Sequence, residues 1–376
     1  MATTPRRALS LCAALLLNLA VTACGSDGET APAQPAATKP GVLAISALPR
    51  LDPFPTTAAQ YVALATEAFD LVYGAGARGQ MTTFTWSALE PTQTNYDAAK
   101  FSDLAAAIDQ AQSHALTQFV GIQLINTTAR ETPADLAGQA FDSAAVTSRF
   151  HALLDRVVTP NRGKIRFLSI GNEVDAYLRA NPTQWANYKR FYADAVQYAH
   201  SLDPSIQVGV TGTADGALTL SATELQDLNT ASDVMILTYY LLQSDASGTI
   251  TVRDPGVVAG DFNRMLQFAG GRRLVMQEVG YPAAALNNSS EAKQAAFVTN
   301  VFAAWKAANG RIPFLNVFLL HDFTQSMCDD FGVYYGLPNV PSFKAFLCSL
   351  GMRKADGTAR QAWSTLGDDA GKANLP

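Results

Sequence analysis

The stretch that decides the fold is Ile165-Arg-Phe-Leu-Ser-Ile-Gly-Asn-Glu-Val174. It opens as an apolar run of strand length and stops abruptly at two polar side chains, Asn172 and Glu173. A strand covered by helices on both faces reads this way, because neither face of a parallel sheet meets water. Its last residues then emerge at the carboxyl edge, where parallel α/β folds place their chemistry. A second stretch, Arg273-Leu-Val-Met-Gln-Glu-Val-Gly-Tyr-Pro282, repeats the design and presents Glu278 at its end.

Outward from these two runs, strands are expected at 42–47, 81–86, 118–125, 165–172, 206–212, 234–240, 273–279 and 314–321. Helical spacing fills the gaps near 58–73, 98–114, 143–158, 184–202, 222–229, 257–269 and 291–309, with a last short helix at 361–366. Phe101, Leu104, Ile108 and Ala111 show the apolar period of a helix that buries one face. Eight strand and helix alternations from residue 42 onward predict an α/β fold of the (β/α)8 TIM-barrel type. An open doubly wound sheet is the alternative, but no glycine-rich phosphate loop follows the first strand.

The chain has 376 residues, is 48% apolar and 16% charged, and carries a formal net charge of -5. Nothing basic enough for nucleic acid is present, and the length suits one catalytic domain at 42–376. Residues 1–23 read as an export signal: Arg6 and Arg7 precede an apolar segment too short to span a bilayer. Val21-Thr22-Ala23-Cys24 resembles a bacterial lipobox, which implies lipidation of Cys24; a plain signal peptide is the alternative. Residues 24–41 lack large apolar side chains and read as a flexible tether. The expected location is therefore the bacterial cell envelope, lipid-anchored and exported, with Gly25 after the cysteine favouring an outer membrane.

Only Cys328 and Cys348 remain in the folded part. In an oxidising compartment a disulfide between them is expected, with two buried thiols as the alternative. His114, His151, His200 and His321 are scattered and no CxxC occurs, so no metal site and no cofactor is expected.

If the barrel closes, the strand ends meet at one mouth. They bring Trp86, Asn126, Asn172, Glu173, Tyr239, Tyr240, Gln277, Glu278, His321 and Asp322 together, an acidic, amide-bearing and aromatic set suited to sugars. Two glutamates on separate strand ends are what cleavage of a glycosidic bond requires. Singly, each has a bland reading: a strand-end glutamate is commonly an ion-pair or capping partner, and Trp86 serves barrel packing as readily as it serves a sugar. His321 likewise reads as a substrate contact or as a satisfied structural histidine.

Gly171-Asn172-Glu173 and Gln277-Glu278-Val279-Gly280-Tyr281-Pro282 resemble the strand-four and strand-seven motifs of the retaining glycoside hydrolases of clan A. Trp86-Ser-Ala-Leu-Glu90-Pro91 with Tyr96, Ser349-Leu-Gly351-Met-Arg353 and Ala362-Trp363 extend the resemblance over nearly the whole barrel. Leu237-Thr-Tyr239-Tyr240 is similar to endo-β-1,4-galactanases. The resemblance implies Glu173 as acid and base, Glu278 as nucleophile, Asn172 on the sugar 2-hydroxyl and Tyr240, or else Tyr239, on the nucleophile. A carboxyl separation near 5–5.5 Å would give retention. The resemblance departs at strand eight, where Leu319-Leu320-His321-Asp322-Phe323 offers no tryptophan, and Arg78 is the one candidate for an early-strand arginine. The partners expected are a β-linked glycan and, through Cys24, a lipid bilayer, for a monomer. A surface protein that binds glycan without turnover, and a glucan transglycosylase, are the competing functions.

Overall fold

The computed structural model describes residues 41–245 and 247–372, so Cys24, the signal segment and nearly all of the tether lie outside the described residues. Apolar runs become strands wherever they were bounded by turn residues. In order the elements are β1 (Val42–Ile45), α1 (Ala58–Gly74), β2 (Gly79–Thr85), α2 (Ala98–Ser113), β3 (Thr117–Asn126), α3 (Ala144–Val158) and β4 (Ile165–Asn172). There follow α4 (Trp185–Leu202), β5 (Gln207–Gly209 and Thr211–Thr213), α5 (Ala222–Leu228), β6 (Val234–Tyr239), α6 (Val258–Ala269), β7 (Arg273–Val279), α7 (Glu291–Ala307) and β8 (Phe314–Val317). The chain then forms α8 (Gln325–Tyr334), α9 (Pro341–Leu347) and α10 (Gln361–Lys372).

The pairing of these eight strands is parallel throughout, and the sheet curls into a nearly closed barrel. Closure runs through β5, which breaks at Val210. Its first half pairs with β4, Phe167 opposite Gln207, and its second half pairs with β6, Thr211 opposite Ile236. The expected continuous strand 206–212 is thus two short ones, a kink that lets the last gap in the ring be bridged.

Alternation sorts the side chains into two cores. Inward-pointing Ala44, Phe119, Phe167, Val234, Ile236, Val275 and Phe314 fill the barrel. Phe314 is the centre of this plug, with ring centroids 5.7 Å from both Phe119 and Phe167. Outward-pointing residues such as Leu168, Ile170, Leu237 and Met276 join Phe150, Leu153, Tyr188, Phe191 and Phe262 of the helices in the larger outer core. Helix starts are capped by the side chains of Thr57, Asp97, Ser143 and Ser290, each accepting from backbone N–H groups of its first turn.

The structure departs from the expected elements at several strand ends. β2 stops at Thr85 because its hydroxyl caps a helical turn, Trp86–Leu89. β8 stops at Val317, four residues early. Phe318 N–H donates to Val279 O and Leu320 N–H to Ser46 O, while His321 pairs only with Arg353 in an isolated bridge. The largest difference is the pair α8 and α9, which the sequence shows only as an irregular stretch. It is α10, packed on α7, that completes the helix layer, so residues 324–349 form an excursion on the mouth side of the barrel. Cys328 and Cys348 form a disulfide across its base, with Cα atoms 6.1 Å apart.

At the other pole the chain enters the fold directly into β1. Val42 N–H donates to Pro313 O, and Gly41 sits so close to Ile312 O and the Trp305 ring that a side chain there would collide with both. No helix among the described residues is long and apolar enough to cross a membrane.

Because Phe314 is fully buried at the centre of the plug, its truncation leaves a cavity that strand backbones cannot collapse into. Phe314→Ala is expected to cost about 3–5 kcal/mol in urea unfolding. Phe54→Ala, at a ring that is 53% exposed, is expected to change stability by less than about 0.5 kcal/mol. Equal losses would mean that the ring packing does not govern stability.

Candidate active site

Glu173 occupies the sharp turn that follows β4. Its own backbone is left-handed, φ 47 and ψ 44, and it starts the short helix Val174–Ala180. Gly171 makes the approach possible: its φ is 97, and a Cβ there would strike the Tyr188 hydroxyl and Val174. A non-glycine residue held left-handed costs on the order of 1–3 kcal/mol, a strain typical of functional turns. The turn throws the Glu173 carboxyl over the barrel mouth. There Oε1 accepts from Thr238 Oγ1 at 2.6 Å and Oε2 from Thr127 Oγ1 at 2.8 Å.

Glu278 reaches the same mouth by another device. The register of β7 slips between Met276 and Glu278 against β6, and between Met276 and Val279 against β8. This irregularity re-aims the strand end, so that neighbouring Gln277 and Glu278 both serve the site. Tyr240 Oη donates to Glu278 Oε2, and Gln277 Nε2 donates to Glu278 Oε1 at 3.2 Å. Gln277 Nε2 also donates to Asn172 Oδ1 at 2.7 Å, and Asn172 Nδ2 donates to Asn126 Oδ1 at 3.0 Å. Below them Thr211 Oγ1 donates to Gln277 Oε1 and meets Ser169 Oγ at 2.6 Å. Strands β3, β4, β5 and β7 are thus joined by one continuous polar network, in which Gln277 ties the two glutamate positions together.

The electrostatics divide the pair. Burial, and then the charge of Glu278, push the Glu173 carboxyl up to about 7, despite its two threonine donors and with a smaller push from Asp175. Burial also raises Glu278, but the hydroxyl of Tyr240 and the amide of Gln277 favour its charged form. The surroundings thus favour the proton on Glu173 and the charge on Glu278. Among the described residues no group of three His, Cys, Asp or Glu side chains is placed to hold a metal ion.

Six of the residues expected at the mouth meet there: Asn126, Asn172, Glu173, Tyr240, Gln277 and Glu278. Four do not. Asp322 is buried, its carboxylate accepting from Arg360 Nη2 at 2.6 Å and from the Gly351 N–H at 2.8 Å. Trp86 is fully buried between barrel and helices, its ring edge-on to Phe150 at 5.1 Å and its Nε1 donating to Glu90 Oε2, so no sugar can reach it. Tyr239 points the opposite way from Tyr240, into the helix layer, where its hydroxyl donates to Asp261 at 2.9 Å. His321 is 1% exposed, with Nδ1 bonded to Leu48 O and Nε2 accepting from Arg353; burial lowers its pKa and keeps it neutral and structural. Arg78 is spent on Tyr73 O and Ala77 O, at the amino end of β2.

Several residues went unread. Thr238 lies two positions before Tyr240 on one strand and so shares its face, a parity the sequence displays. Thr127 depends on a left-handed turn, for which no residue type is diagnostic. Phe318, just beyond β8, sets its ring perpendicular to that of Tyr240 with centroids 6.2 Å apart, an aromatic contact near the strand end where no tryptophan is present.

No family model and no curated protein matches this chain. Solved structures do. GH5_18 from Bifidobacterium longum subsp. longum is 17% identical with a TM-score of 0.66, over 90% of this chain and 79% of that one. A GH5_18 variant from Streptomyces cattleya in complex with Manβ1-4GlcNAc is 15% identical with a TM-score of 0.68, over 89% and 81%. An exo-β-1,4-mannosidase from Opitutaceae bacterium strain TAV5 is 13% identical with a TM-score of 0.63, over 89% of this chain and 59% of that one. At such identities the likeness establishes the (β/α)8 fold.

Because Glu173 binds a proton in the fold that the unfolded chain has already released, stability falls as pH rises from 4.5 towards about 7. Glu173→Gln removes that burden. Its Tm is expected to exceed that of the wild type at pH 8, the difference shrinking towards pH 4.5. A variant less stable than the wild type at pH 8 would place the proton elsewhere.

Proposed function

We propose that the chain hydrolyses β-glycosidic bonds with retention of configuration, Glu278 acting as nucleophile and Glu173 as acid and then base. The observation that carries this reading is the convergence of two carboxyl groups from separate strand ends on one mouth, tied to each other through Gln277 and Asn172. In the first step a Glu278 oxygen attacks the anomeric carbon, the bond to the leaving oxygen breaks, and Glu173 gives that oxygen its proton. The glycosyl ester so formed carries no charge on Glu278. The repulsion that held the proton on Glu173 is gone, and its carboxylate becomes a competent base. It takes a proton from water as the hydroxide adds to the anomeric carbon. The ester breaks, and both groups return to their first state.

The surroundings fit this cycle. Tyr240 steadies Glu278 while it is charged, and Thr127 and Thr238 hold Glu173 in one rotamer through both roles. Asn172, braced by Gln277 and Asn126, supports a contact to the sugar 2-hydroxyl. Phe318 beside Tyr240 supports stacking on the face of the reacting sugar. β-Mannosides are the first substrates to try, since the Streptomyces cattleya structure holds Manβ1-4GlcNAc.

Aryl β-mannosides, glucosides and galactosides supply the test, with proton NMR of the first product. The expected product has the β configuration, and activity falls above pH about 7 as Glu173 loses its proton. Glu173→Gln is expected to lose about 10²–10⁴-fold in kcat/KM, and Glu278→Gln at least as much. An α product, or either variant at full activity, rejects the assignment.

We also propose, from Val21-Thr22-Ala23-Cys24 alone, that the mature protein is anchored in the cell envelope through acylated Cys24. Metabolic labelling with an alkyne fatty acid is expected to mark the wild type and not Cys24→Ala. Equal labelling, or none, rejects the anchor.

A further inference from the structure

The α8–α9 excursion does not stand aside from the mouth; it spans it. Leaving β8, it is stapled at its base by Cys328–Cys348. At its far corner Tyr334 reaches the loop after β3, where its hydroxyl accepts from Asn126 Nδ2 at 3.1 Å and donates to Glu131 Oε1 at 2.9 Å. Glu131 is itself fixed by Ser87, which follows β2. The next residue, Tyr335, lies beside Thr127, whose hydroxyl donates to Glu173 Oε2 at 2.8 Å. On the other flank Phe346 packs edge-on against Tyr240, centroids 5.5 Å apart. Ser342 accepts from Ile250 N–H at 3.0 Å and, through its carbonyl, from Asn287 Nδ2 at 2.8 Å. The excursion is therefore pinned to the loops after β3, β6 and β7, with its own aromatic rings packed on one another: Tyr334 on Tyr335, and Tyr335 on Phe343.

A polysaccharide cleaved in mid-chain must lie across the mouth with sugars continuing on both sides of the glutamates. A wall tied on the Asn126 flank by Tyr334 and on the Tyr240 flank by Phe346, with Tyr335 beside Thr127, leaves no such open trough. On the hydrolase reading above, we infer that this excursion is a fixed wall and that Tyr335 is its specificity-determining residue. The site then takes chain ends, releasing terminal sugars, and does not cut internally.

The experiment uses a β-linked hexasaccharide of whichever sugar the aryl glycosides identify, reduced with borohydride so that its two ends differ in mass. Mass spectrometry follows the first products. The wild type is expected to release a terminal mono- or disaccharide only. Tyr335→Ala is expected to raise the ratio of internal to terminal cuts by about tenfold or more, and Tyr335→Phe, which keeps the bulk, to leave that ratio unchanged. The double variant Cys328→Ser, Cys348→Ser is expected to shift it in the same direction as Tyr335→Ala by loosening the wall. Internal products from the wild type at the outset overturn the inference while the hydrolase reading stands, as does a Tyr335→Ala pattern identical to the wild type. Inactivity on every aryl glycoside sinks the parent reading and this one with it.

Discussion

Two carboxyl groups in one desolvated mouth cannot both be charged at modest cost, and the structure is arranged around that constraint. The left-handed turn at Glu173 and the slipped register at Glu278 deliver the two groups to one place. Tyr240 and Gln277 then favour charge on one of them, while burial and the neighbouring carboxylate favour a proton on the other. Everything beneath supports this placement. The Phe119, Phe167 and Phe314 plug holds the strands apart from below, and the polar layer of Ser169, Thr211 and Gln277 sets the height and tilt of the strand ends. Such a site is held under strain, and it trades stability for chemistry.

How far the sequence shows this depends on which physical signal each residue carries. The barrel was legible because its strands are buried on both sides and its helices on one, so apolar runs and helical spacing alternate without interruption. Glu173 and Glu278 were legible because a charged group directly after an apolar run has only one place to go. Tyr239 and Tyr240 looked alike until the pleat sent one into the helix layer and the other into the mouth. Trp86 and His321 misled because a strand end was drawn one and four residues too far. At Trp86 a threonine cap starts a helical turn, and after Val317 the chain leaves the sheet to meet Ser46 and Arg353.

The excursion after β8 was the least legible part. Its helices are short, their apolar residues serve a small local core of Met327, Phe346, Leu347 and Leu350, and no long period announces them. Only the cysteines signalled a closed loop. That a barrel tolerates such an insertion follows from its construction: strand ends are fixed by the ring, and loops at the carboxyl face are free to vary. Here the loop after one strand has been enlarged until it bonds to loops across the ring.

The point at which the chain enters the fold has an orientational consequence. Val42 begins β1 at the amino-terminal pole, and Gly41 is wedged there against Trp305 and Ile312. Glu173 and Glu278 lie at the opposite pole, a full strand length away. Under the proposed anchoring through Cys24, the chain would be held from the pole opposite the two glutamates.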